Sequence, residues 1–126
     1  TTPVVLNGIS CKDAFALSPD GDLRRCKSTA SASIGSVKDI PAGSWISLYK
    51  GGALRRVEVA KPMAMNGYSC KGYHNYFHEN GQLMKCQLGE DKEIDKTLHK
   101  AGAFLCWDNK GKPVADCKMI GKEILD

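Results

Sequence analysis

The chain has 126 residues and a mass of 13.7 kDa, enough for one domain and little more. Hydrophobic residues at 42% and charged residues at 25% make a globular composition, and no apolar run approaches the roughly 18 residues of a membrane helix. Eighteen Lys and Arg against fourteen Asp and Glu leave +4, too mild for a dedicated nucleic-acid binder, so nucleic acid is not an expected partner.

In chain order the predicted strands are 12–17 answered by 22–27, 44–49 by 53–59, 72–78 by 82–88, and 103–108 by 112–118. A turn separates the two members of each pair: Ser18-Pro19-Asp20-Gly21, Tyr49-Lys50-Gly51-Gly52, His78-Glu79-Asn80-Gly81 and Asp108-Asn109-Lys110-Gly111. Their final glycines lie 31, 29 and 30 residues apart. Leu17, Leu48, Phe77 or Trp107 precedes each turn, and Leu23, Leu54, Leu83 or Pro113 stands two residues past each glycine. The pattern predicts a type I turn whose last residue is left-handed, a conformation glycine adopts without steric cost. Trp45, Ile46, Leu48, Val57 and Val59 have the β-branched and aromatic character of strands. Between hairpins, Ser28–Ser36 is small and polar and reads as a surface loop, as does Lys61–Tyr68, where Pro62 forbids a continuous helix. Gly89–Lys96 reads as a linker with at most one turn of helix.

A longer period of about 60 residues overlies this one. Leu6-Asn7-Gly8-Ile9-Ser10-Cys11-Lys12 matches Met65-Asn66-Gly67-Tyr68-Ser69-Cys70-Lys71, Cys26 matches Cys86, and Ile34 matches Ile94. The expected fold is therefore all-β: tandem β-hairpin repeats forming an antiparallel meander, stapled by disulfides. It occupies one domain, 1–126, with four units at about 11–36, 41–65, 70–98 and 101–120.

Six cysteines in so short a chain read as a disulfide framework, which places the protein in the periplasm or outside the cell. No signal peptide stands at Thr1, so the expected secretory segment is absent from this sequence. Consecutive cysteine spacings of 15, 44, 16, 20 and 11 contain no zinc knuckle. Cys11 and Cys26 recur together as Cys70 and Cys86, while the second unit has neither and carries Val57 in the column of Cys26. Cysteines that come and go together are bonded to each other, which predicts Cys11–Cys26 and Cys70–Cys86. Cys106–Cys117 follows as the pair flanking the fourth turn. Each bridge would add roughly 2–3 kcal/mol by restricting the unfolded chain.

The residues of catalysis do not converge in the sequence. His74 and His78, four apart on a strand, would lie roughly 13 Å from each other, too far to share a metal. No nucleophile elbow, phosphate-binding loop or metalloprotease helix motif is present. Glu90, Asp91, Glu93 and Asp95 alternate with Lys92 and Lys96 as a solvated linker does. No enzyme activity, metal or cofactor is expected. The most suggestive feature is basic: Arg24-Arg25 and Arg55-Arg56 occupy the same two columns after their turn glycines, and Lys85 continues one of them. Stacked hairpins would align these residues into a ladder able to bind carboxylates or phosphates of a partner. Protection of sheet edges and solubility is the favoured reading of the same charges, since charge on one strand face is ordinary. Trp45, Tyr49, Tyr73 and Tyr76 are candidates for an adjoining contact surface, with at least two of them expected in the core.

The stretch Phe77-His78-Glu79-Asn80-Gly81-Gln82-Leu83-Met84-Lys85-Cys86-Gln87-Leu88 resembles hairpin repeats of bacterial envelope and secreted proteins, a variant of the MORN repeat. The resemblance runs from about Leu6 to Cys117 and assigns no catalytic residue. Some variant MORN proteins act as immunity proteins or antitoxins. The resemblance thus implies a protein partner, most concretely a secreted toxin that is neutralised by occlusion. An envelope or adhesion module binding anionic polymers through the arginines is the alternative, and a small hydrolase the remote one.

Overall fold

The computed structural model describes residues 4–6, 9–17, 19 and 23–114, and among these there is no helix. The strands are β1 (Val4–Leu6), β2 (Ile9–Leu17), β3 (Leu23–Ser28), β4 (Ala32–Ile34), β5 (Val37–Ile40), β6 (Trp45–Leu48) and β7 (Leu54–Met65). They continue with β8 (Tyr68–Phe77), β9 (Leu83–Leu88), β10 (Lys92–Ile94), β11 (Thr97–His99), β12 (Phe104–Trp107) and β13 (Pro113–Val114). Nine of them form one antiparallel sheet, β1-β2-β3-β6-β7-β8-β9-β12-β13, in chain order. The remaining four make two separate ribbons, β4–β5 and β10–β11. The expected meander is present.

The third and fourth turns have the expected form. Gly81 N–H donates to His78 O and Gly111 N–H to Asp108 O, and only the glycine of each turn has positive φ, +95° and +87°. The second turn differs, because Gly51 is also at positive φ (+98°), as a type II turn requires at that place. Two adjacent glycines permit what Asn80 and Lys110 in the other turns do not take up. Ser18, Asp20 and Gly21 of the first turn lie outside the described residues.

The segments expected to be loops or linker are hairpins. Within 28–36, β4 turns through Gly35-Ser36 into β5, with Ile34 opposite Val37. The 61–68 segment is the far end of the longest hairpin, where β7 reaches β8 through Asn66 and Gly67 at φ +50° and +83°. The 89–96 segment contains no helical turn; it holds β10, and Asp95 and Lys96 (φ +51° and +66°) reverse the chain into β11. Two-residue turns at positive φ match the right-handed twist of the strands they join. Pro62 sits inside β7 because the pairing there is irregular, between Val59↔Gly72 and Met63↔Cys70.

One face of the sheet is the core. Cys26, Ile46, Val57 and Asn75 stand in register across β3, β6, β7 and β8, each fully buried. Val37 and Ile40 bring the β4–β5 ribbon over this face, and Ser36 Oγ donates to Asn66 Oδ1 at 3.1 Å. The disulfides Cys11–Cys26 and Cys70–Cys86 lie in the same core, as the repeat predicts. Both are consistent with an oxidising, extracytoplasmic setting. Cys106 is disulfide-bonded too, and its expected partner Cys117 lies outside the described residues.

Neighbouring turns are tied to one another. Tyr49 Oη donates to Phe77 O, His78 Nε2 donates to Trp107 O at 2.9 Å, and Asn80 Nδ2 to Asn109 O at 2.7 Å. Asp108 Oδ1 accepts the Lys110 and Lys112 N–H groups, both at 2.9 Å, and these bonds hold its carboxyl below the ordinary value of 3.8. Asp91, which accepts Ala101 N–H at 2.8 Å and faces Lys100, is lowered in the same direction.

Asn75 is the polar exception in the core. Its Nδ2 donates to Val57 O, Lys71 O and Gly72 O at 3.1–3.3 Å, and its Oδ1 accepts Gln87 N–H at 3.4 Å. These backbone groups flank the places where the pairing of β8 shifts register. Asn75→Ala should lower stability by about 1–3 kcal/mol in urea denaturation, because buried carbonyls lose their donor. A second outcome follows from Asp108. Its depressed carboxyl contributes stability that is present above 3.8 and lost as the pH falls through the lowered folded value. Asp108→Ala should therefore show a shallower loss of stability on acidification than the parent protein.

Candidate functional site

The returning strands of the first three hairpins, β3, β7 and β9, each carry one surplus residue. Leu17 pairs with Leu23 and Ala16 with Arg25, so Arg24 is the extra residue; Arg55 and Met84 are extra in the same way. Two residues therefore separate the buried Leu23 from the buried Cys26, and both belong to the outer face. Across that face Arg25, Ser47, Arg56, Tyr76 and Lys85 stand in register on β3, β6, β7, β8 and β9. Basic residues on alternate strands lie about 10 Å apart by strand spacing. Ser47, between two arginines, is only 7% exposed, so its neighbours cover it.

The ladder read from the columns is thus present, but only half of each arginine pair belongs to it. Arg25, Arg56 and Lys85 are the register residues, whereas Arg24 and Arg55 occupy the bulges beside them. The Nε atoms of Arg24 and Arg55 are shielded from solvent, so these side chains lie along the protein. β3, β7 and β9 are interior strands of the sheet, which removes edge protection as the reason for the charges.

Each cation of the row is seated on a ring. The Arg25 guanidinium is 4.4 Å from the centre of Trp45, Arg56 is 5.9 Å from Tyr76, and Lys85 Nζ is 5.0 Å from Phe104. Arg56 also forms an ion pair with Glu58, one row along the same face. Trp45 and Tyr76 are half-buried, while the side chain of Tyr73 lies outside the described residues. Sequence reasoning did not single out Glu58 or Phe104. Their signal is the alternation of outward positions along β7 and β12, readable only once the register is known.

The two described histidine side chains, His78 and His99, have separate surroundings, and the side chain of His74 lies outside the described residues. His78 is committed to Trp107 O, and His99 lies at the end of the second ribbon. Among the described residues no three His, Cys, Asp or Glu side chains gather as a metal ion requires. No protein-family model, curated protein or solved structure matches the chain.

The stacking on Trp45 has a measurable consequence. Arg25→Ala should cost about 0.5–1 kcal/mol in urea denaturation, the worth of an exposed cation–π contact.

Proposed function

We propose that this protein is a non-enzymatic binding module of an oxidising, extracytoplasmic compartment, docking an acidic protein surface on the outer face of its sheet. The observation that carries this reading is the row Arg25–Arg56–Lys85, in register across five strands with every cation seated on an aromatic ring. Long basic side chains normally lose rotamer freedom when they bind, and a side chain already resting on a ring loses less. Guanidinium groups held this way keep donors for charge-assisted bonds to carboxylates. A rigid sheet backed by two core disulfides presents them without reorganisation. The most concrete partner is a secreted toxin, whose active site the face would occlude.

The test is affinity capture from secreted and periplasmic fractions, comparing the parent with an Arg25→Ala/Arg56→Ala variant at low and high salt. An acidic protein retained by the parent alone, released by salt, and inhibited in its own activity is the expected result. Identical capture by both proteins overturns the reading.

A further inference from the structure

The outer face is interrupted at one place. β7 runs two residues long against β8 between Val59 and Met63, and β8 runs long against β9 between Lys71 and Tyr76. Strands with mismatched lengths cannot keep a common ladder, so the surface opens into a groove of about 440 Å³. That is within the range of about 300–1,000 Å³ common for small-molecule sites. Lys27, Trp45, Glu58, Pro62, Lys71 and Gln87 line it.

The groove is built into the fold. Pro62 packs so closely on Gly89 that a methyl group there would lie 2.6 Å from Pro62 Cβ and 2.8 Å from Ser69 Oγ. Gly72, at φ +79°, gives the same room to Gln87, whose Oε1 would lie 2.9 Å from an added Cβ. Trp45 is held in place by Arg25, and Glu58 by Arg56. Gln87 Nε2 donates to Gly102 O at 3.3 Å, which leaves its Oε1 as an acceptor. Lys27 and Lys71 make no ion pair or hydrogen bond through their ammonium groups among the described residues.

We propose that this groove binds a short oligosaccharide bearing carboxylates, of the uronic-acid class. An indole offers a flat apolar wall to the C–H face of a sugar ring. Glu58 and Gln87 accept hydrogen bonds from its hydroxyls, and the two lysines take its carboxylates. Glu58 and Gln87 set the class: their acceptors reward hydroxyl donors, which a uronic sugar carries beside its carboxylates and a run of glutamate side chains lacks. An acidic peptide therefore fits less well than an acidic sugar.

The experiment is an NMR titration of the whole protein with trigalacturonate, a neutral galactose trisaccharide and tetraglutamate. Trigalacturonate should shift the Trp45 indole N–H saturably, while the buried Trp107 stays in place. Lys27→Gln/Lys71→Gln should weaken binding by about tenfold or more, and the neutral sugar and tetraglutamate should bind at least about tenfold more weakly. Lys85→Ala, which removes one cation of the protein-docking row, should leave saccharide affinity within about twofold, since Lys85 does not line the groove. The proposal is overturned if trigalacturonate leaves Trp45 unmoved, if either control binds as well, or if the double lysine variant binds like the parent.

Discussion

One surplus residue in the returning strand of each of the first three hairpins governs both faces of the sheet. Strict alternation from the buried Leu23 would turn Arg25 inward and Cys26 out to solvent. With Arg24 inserted as a bulge, Arg25 faces out and Cys26 reaches Cys11 in the core. Leu54 to Val57 and Leu83 to Cys86 repeat the same arrangement. The core column and the basic row are thus two results of a single backbone irregularity.

The core that this creates is one sheet deep and poor in aromatic side chains. Its closure depends on contacts a simple meander lacks. The β4–β5 ribbon covers part of the inner face with Val37 and Ile40, and two disulfides replace apolar contacts that a larger core would supply. Tyr49, His78 and Asn80 tie the second, third and fourth turns to one another. The second half repeats the element order of the first, β8 to β12 following β2 to β6, which extends the sheet without a new topology.

Irregular pairing also makes the surface chemically uneven. Regular strands present the cations at fixed intervals, suited to a broad partner. Where β7 and β8 fall out of step, Asn75 bonds the backbone on the inner side while Lys27, Trp45 and Lys71 surround a groove on the outer side. A polar core residue and a surface recess are two sides of one defect in the ladder.

Much of this was legible in the chain because it is local and repeated. Glycine at constant spacing dictates turns, since left-handed backbone is cheap for glycine alone. Cysteines absent together from one unit disclose their pairing, and the basic columns predict a ladder. The ribbons were hidden by composition: Ala32, Ile34, Val37 and Ile40 lie too far apart in a polar stretch to look like strands, and Pro62 disguised the hairpin at Asn66-Gly67. Which arginine faces the ladder, which rings receive the cations and where the sheet parts are matters of register. Register depends on hydrogen bonds between neighbouring strands and on where the bulges fall, and only the folded sheet fixes those.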